Sequence, residues 1–469
     1  MTSALPRPAV AEPRPWAFPT PSVHRLGNGI EVQLFDLPGQ HVLAVRVGVP
    51  APLAAEPTGA EGVALIMSRC LDEGTARRDG DAMAAELERH GVALGSGVGE
   101  RGVLVDLDVT ARHLRPALEL LTECLAEPVF PEHEVRRHQR VRLAEIAHEQ
   151  ADAASRAALQ FAATYFHPDD RAHLPAGGTA ASVAALTPEA VRDHHRATIR
   201  PEGARVVVAG DLGDHDRLLS HLEATLGSWR AGSGGAAPTG RTSGVRSADA
   251  GRVVFVARRG SVQTEVYAGR QGPDRRDPRG WGVYQVLSMV VGGSPHARVD
   301  RLLREQRGYT YGFTAGFRPR ASGGLFVASG SVRSDATATA LADLLEVLAM
   351  RGSDLTRTEV RQAGRFIAHT APARYATADV VAAEAMGLAL DGFTPEFVTA
   401  NLEQVRTLHL EDAAAAWDAW ADQPWTIVLV GDPAHAAEVE ALGLGPFELV
   451  QGGPPSQVPS PAEAWGAET

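Results

Sequence analysis

Two apolar spacings alternate along the chain. Period-two alternation marks "GIEVQLFDL" (29–37), "HVLAVRVGV" (41–49), "VLVDLDVT" (103–110), "RVVFVARRG" (252–260), "VQTEVYAG" (262–269) and "GGLFVASGSVRS" (323–334) as strands. Between them the apolar positions recur at three and four residues. That spacing predicts helices near 60–73, 79–90, 112–127, 131–165, 187–197, 335–351, 356–369 and 378–390.

The pattern runs twice. "RVVVAGDLG" and "TIVLVGDPA" place Gly210-Asp211 and Gly431-Asp432 221 positions apart, and Gly48 in "VLAVRVGV" and Gly269 in "VQTEVYAG" have the same offset. Equal offsets at both ends of a block indicate an internal duplication. The expected fold is α+β with two homologous halves, each a mixed, largely antiparallel sheet covered by helices. Composition sets the boundaries: a Pro-rich tail over 1–20, halves over 21–228 and 251–450, a Gly/Ser/Ala-rich linker over 229–250, and a tail over 451–469.

Composition and charge then narrow the class. The chain has 469 residues, 44% of them hydrophobic and 22% charged, an ordinary globular balance. Its net charge of −12 argues against nucleic acid or an anionic membrane as partner. The first twenty residues carry Pro where a signal peptide needs an apolar run, and no stretch approaches a membrane span. Cys70 and Cys124 read as lone thiols. The expectation is a cytoplasmic bacterial protein.

Six pieces, in order, carry the functional signal: "LGNGIEV", "GVALIMSRCLDEGT", "RPEGARVVVAGDL", "SVQTEVYAG", "VVGGSPHARVDRLLREQRGYTYGF" and "TIVLVGD". Together with the duplication they resemble the insulinase/pitrilysin family of zinc metallopeptidases, the inverzincins, and the resemblance spans nearly the whole chain. It implies a helix with H-x-x-E-H, whose two His hold zinc and whose Glu activates water. Here those positions are Leu65, Ser68 and Arg69. Leu has no lone pair, Ser is no carboxylate base, and Arg is a permanent cation. Cys70 lies about 100° round the helix from Arg69 and reads as a core thiol. The family's third ligand, a Glu some seventy-five residues on, matches Glu145. We expect Arg69 to take the space of the metal and to pair with Glu145. In "HEVRRH", His133 and His138 stand five apart and do not converge, and His194-His195 diverge, so these read as solvated or capping histidines.

The second half matches the family better. The resemblance implies a substrate-binding Arg and Tyr seven residues apart, and Arg304 and Tyr311 have that spacing, with Tyr309 as an alternative ring. Gly95-Ser96 falls where the family's substrate-pairing edge strand carries Asn-Ala. With the zinc half silenced and the Arg/Tyr half kept, the chain resembles the non-catalytic subunits of two-chain members. It would be inactive alone and hold no cofactor. It would pair with a homologous subunit bearing H-x-x-E-H and zinc, and so enclose a peptide, with leader or precursor processing as the use the resemblance suggests. The alternative is a structural or peptide-binding protein with no hydrolytic role. An enzyme acting alone through Glu145 and Cys70 ranks last, because too few ligands are left.

Overall fold

The computed structural model describes residues 11–12, 14–230 and 244–452. The rest of the expected tails and linker, 1–10, 13, 231–243 and 453–469, lies outside the described residues.

Each half contains one six-stranded sheet. The first has β1 (Ser22–Arg25), β2 (Glu31–Asp36), β3 (Val42–Val49), β4 (Ala93–Val98), β5 (Val103–Thr110) and β6 (Arg205–Gly210), in the order β1-β2-β6-β3-β5-β4. The second has β7 (Val253–Ala257), β8 (Gln263–Gly272), β9 (Phe313–Pro319), β10 (Gly324–Arg333), β11 (Thr426–Gly431) and β12 (Phe447–Val450), in the order β12-β7-β11-β8-β10-β9. Five strands of each sheet correspond at or near the 221-residue offset. The sheets are mixed: β2 and β6 run parallel, as do β7, β11 and β12, and the other pairs are antiparallel.

The strand order explains why the central strands are apolar throughout. In β6, Val206 and Val208 enter one core while Val207 and Ala209 enter another; in β11, Ile427 and Leu429 part in the same way from Val428 and Val430. Strands buried on both faces lose the polar half of their alternation. One face of each sheet is covered by helices of its own half. In the first half these are α1 (Val63–Arg69), α2 (Gly80–His90) and α3 (Leu114–Ala126), with α4 (Glu132–Ala151) beyond.

The other faces are covered reciprocally. Helix α5 (Ala153–Tyr165) leaves the first half and packs Ala157, Phe161 and Tyr165 on Val254, Val256, Val428 and Val430 of the second sheet. Helix Ala378–Leu390 of the second half packs Val381, Ala382, Ala385 and Met386 on Phe35, Ala44, Val207 and Ala209 of the first. One long helix expected over 131–165 is therefore two. Asp152 breaks it with an extended backbone (ψ 125°), and its side chain accepts from Ser155 N at 2.8 Å to cap α5. That turn directs α5 onto the opposite sheet.

Four further points differ from the sequence reading. Trp16 and Phe18 are packed rather than tail-like: Phe18 is buried, and Trp16 stacks on Tyr375 at 5.6 Å. The margins of the linker are also anchored. Trp229 and Ala250 are buried, and Val245 N donates to Asp170 Oδ2 at 2.8 Å. Aromatic and small apolar residues at both margins outweigh the Pro and Gly around them. His194 and His195 are core residues, not solvated ones; burial lowers both pKa values to about 4, and His195 Nε2 meets Leu125 O at 3.0 Å. Helices His215–Ala224 and Glu396–Thr407 lie outside the expected set, although each carries apolar residues at helical spacing.

The equivalent glycines Gly48 and Gly269 lie where the exchanged helices cross. A Cβ on Gly269 would meet the Phe161 ring at 2.5 Å, and one on Gly48 would meet Met386 Sδ at 2.4 Å. A ring has no free end to move, whereas a methionine side chain re-packs. Gly269→Ala is expected to destabilise the chain by about 1–3 kcal/mol and Gly48→Ala by clearly less. Denaturant titration of the two variants compares them; an equal loss would contradict this account of the crossings.

Candidate functional site

Helix α1 is short and is held from both ends. Its N-terminus begins at Gly62, whose φ of 96° and close approach to Gly177 O suit glycine alone. Glu56 Oε1 accepts from Gly62 N and Ala64 N, each at 3.0 Å, so a carboxylate occupies the positive end of the helix. Arg171 binds the other oxygen of Glu56 at 2.7 Å through Nη2, and both residues are buried. Arg171 also donates to Leu174 O and Ala176 O, each at 3.0 Å, which fixes the loop above α1.

On this platform the three expected positions diverge in role. Leu65 packs towards Gly177 and lines a cavity. Ser68 is fully buried, and its hydroxyl donates back to Leu65 O at 2.9 Å. Ser68 O in turn accepts from Ser96 Oγ of edge strand β4 at 2.7 Å, tying that strand to the helix. Arg69 reaches Glu145 on α4 in a two-pronged pair, Nη1 to Oε1 at 3.0 Å and Nη2 to Oε2 at 3.1 Å. That geometry matches a guanidinium fork to a carboxylate.

A second guanidinium completes the cluster. Arg142 is buried; its Nη1 binds Glu145 Oε2 at 3.1 Å and Glu149 Oε1 at 2.6 Å, its Nη2 binds Glu149 Oε2 at 2.9 Å, and its Nε donates to Gly177 O at 3.0 Å. Arg142 was missed in the sequence, although R-x-x-E-x-x-x-E over 142–149 places all three on one helical face. Partial burial pushes the Glu145 pKa up, but hydrogen bonds and charge from Arg69 and Arg142 outweigh it and hold the carboxyl below its ordinary value.

These residues do not fit zinc. The sole carboxylate at the family's ligand positions is saturated by two guanidinium groups, and its neighbours are a leucine, a serine bonded to its own helix, and a cation. Cys70 is buried, and burial, reinforced by Glu73, pushes its thiol up to about 12, so it stays protonated. Among the described residues, one trio has converging ligand atoms: Glu73, Glu134 and His138. The Arg137 guanidinium already bonds both of those carboxylates, and His138 Nε2 lies 2.8 Å from Glu73 Oε1, so the trio is engaged within the protein.

The second-half pair lies elsewhere. Arg304 is in a π-helical turn, Arg301–Gln306, and is internally engaged. Its Nε meets Asp300 Oδ2 at 2.6 Å and its Nη2 meets Pro295 O at 3.1 Å and Glu305 Oε1 at 3.4 Å. Asp300 Oδ1 accepts from Phe313 N at 3.0 Å, so the turn is locked to the start of β9. Tyr311 is 95% exposed, whereas Tyr309 packs against the second core. Gly292 approaches Ala315 of β9 so closely that a Cβ would meet backbone at 2.2 Å. Among the described residues, no hydrogen bond or ion pair joins Arg304 or Tyr311 to Leu65, Arg69 or Glu145.

Glu145→Gln should destabilise the chain by about 1–2 kcal/mol at pH 7, because two guanidinium groups lose charge-assisted bonds while Arg142 keeps Glu149. A carboxyl with a depressed folded pKa contributes stability above its unfolded value near 4.5 and loses it as pH falls through the folded value. The gap between wild type and variant should therefore narrow below about pH 4.5. Thermal unfolding at a series of pH values measures it, and a constant gap would contradict the role of charge.

Comparison with known proteins agrees with this architecture. The family model for insulinase, peptidase family M16, matches residues 32–170, and the model for the peptidase M16 inactive domain matches residues 185–365. An uncharacterized zinc protease of Streptomyces coelicolor is 27% identical over 308 residues, 64% of this chain and 65% of the relative, just under two thirds of its length. A peptidase M16 inactive domain from Pseudomonas fluorescens has a similar crystal structure (TM-score 0.78, 22% identity, 88% of this chain and 98% of that one). A chain of complex III from Candida albicans superimposes with TM-score 0.71 at 14% identity, covering 87% of this chain and 95% of that one. At such identities the structural likeness speaks for the fold alone. Two family models that together span more than half of the sequence, over a duplicated α+β fold, make this chain a member of the insulinase family, peptidase family M16, of the non-catalytic type without H-x-x-E-H.

Proposed function

We propose that this chain is the non-catalytic subunit of a two-chain zinc peptidase. The observation that carries the reading is the Arg69–Glu145–Arg142 cluster. Two cations are built in where the family places its metal, so the fold is kept without the need for zinc. In this reading a homologous partner with H-x-x-E-H supplies zinc and the general base. This chain supplies half of the enclosing wall and presents Tyr311 towards the partner. Nearly complete exposure of a tyrosine at a strand end supports that role, since its hydroxyl remains available to donate to a carbonyl oxygen in another chain. The substrate is an extended peptide, and trimming of a leader or precursor is the use the enclosed geometry suits. No helix among the described residues is long and apolar enough to cross a membrane. Two buried free thiols fit a reducing cytoplasm.

A second reading is purely structural. Its support is Arg304, whose Nε and Nη2 are engaged by Asp300, Pro295 and Glu305 of its own turn. If Arg304 braces the turn, the substrate-facing role falls on Tyr311 alone.

Affinity capture of the tagged chain from its native cells, with mass spectrometry of what accompanies it, should yield an equimolar homologue carrying H-x-x-E-H. No such partner would favour the structural reading. In the reconstituted pair, Tyr311→Phe should lower kcat about a hundredfold or more, the order expected for one oxyanion-stabilising donor, with assembly unchanged on gel filtration. An unchanged rate would remove Tyr311 from the chemistry.

A further inference from the structure

A cavity of about 660 Å³ opens between the halves beside the silenced helix. That size is within the range of small-molecule sites. Its wall is mainly apolar. Leu65 contributes from α1, Leu159 and Phe161 from α5, and Leu325 from β10 of the opposite half. The same leucine that replaces a zinc ligand thus makes a wall of the cavity apolar.

Charge on the wall is almost fully neutralised from within. Arg142 is held by Glu145 and Glu149, Arg171 by Glu56, and Arg320 by Glu100. Arg318 differs: no carboxylate among the described residues pairs with it. Its recorded polar contact is Tyr267 Oη, at 3.4 Å from Nη1. Tyr267 accepts there, so its own proton remains to be donated. Burial raises its pKa, which keeps the phenol protonated. A planar guanidinium fork and a phenolic O–H thus stand side by side on the wall of an apolar space, the guanidinium without a carboxylate partner among the described residues.

We propose that this cavity binds a small monoanionic amphiphile, an apolar chain or ring ended by a carboxylate. The carboxylate meets Arg318 and Tyr267, and the apolar part lies between Leu65, Leu159, Phe161 and Leu325. One unpaired cation selects a monoanion over a phosphate dianion, and the fork of an arginine matches a carboxylate in shape. The site is formed by one chain and does not depend on a peptidase partner.

The test uses the isolated chain and calorimetric titration with decanoate below its micelle-forming concentration. Saturable one-to-one binding is expected, with decanol at least tenfold weaker. Arg318→Gln, an exposed substitution, should reduce decanoate affinity about tenfold or more and abolish the preference over decanol. Ala158→Trp, on the cavity wall, should block binding; thermal unfolding checks that it still folds. A second arm titrates a short peptide ending in Leu, as the free acid and as the amide. Binding of the free acid but not the amide assigns the carboxylate to a peptide end, whereas binding of decanoate assigns it to a free acid; either supports the proposal. Absence of saturable binding by both probes, decanol binding as well as decanoate, or an Arg318→Gln variant with unchanged affinity would overturn it. Because no partner is present, this outcome is independent of whether the chain is a peptidase subunit.

Discussion

Each sheet in this molecule depends on a helix that belongs to the other half. Without α5 the second sheet would expose Val254, Val256, Val428 and Val430; without helix Ala378–Leu390 the first would expose Phe35, Ala44, Val207 and Ala209. Burying one such aromatic or branched side chain stabilises by about 1.5–3 kcal/mol, so neither half is complete by itself. Hence the two halves form one cooperative body rather than two beads on a linker. Polar contacts at the seam reinforce it: Arg101 pairs with Asp391, Glu100 with Arg320, and Arg101 Nη2 donates to Arg320 O at 3.1 Å. The glycines at the crossings, Gly48 and Gly269, leave the space that lets a helix lie directly on a strand.

The silenced centre is stable on its own electrostatic terms. A carboxylate on α4 needs a positive neighbour, because partial burial otherwise penalises its charge. Arg69 supplies that neighbour from the adjacent helix and Arg142 from the same one. Glu56 and Arg171 do for the N-terminus of α1 what Glu145 and Arg69 do for its C-terminus. Both ends of a seven-residue helix are thereby anchored to distant segments, which explains how so short a helix keeps its place. Leu65, freed from coordination, joins the apolar wall of the inter-half cavity.

Much of this was legible in the chain itself. The 221-residue offset gave the equivalence of strands because period-two alternation and the Gly-Asp ends survive in both copies. Leu65, Ser68 and Arg69 were located from local spacing, and the closeness of Arg69 to Glu145 followed from family-like order. Arg142 was within reach of the same helical arithmetic. By contrast, Glu56 and Arg171 stand 115 residues apart with no periodic relation between them. The Asp300–Arg304 pair was, like Arg142, within reach, as D-x-x-x-R at i,i+4, but nothing in "RLLREQRGYTYGF" reveals that Arg304 also reaches Pro295 O, or that its turn is π-helical.

By itself, then, the sequence determined the repeated α+β plan, the loss of zinc ligands and the identity of the residues that replaced them. These are properties of residue type and short-range period. Tertiary structure alone decided which sheet each repeated helix covers, that Phe18 and Trp229 belong to cores, and that Arg318 is left without a carboxylate partner among the described residues. Such outcomes depend on where side chains hundreds of positions apart come to rest, and on which charges find partners first. Local patterns carry no record of either.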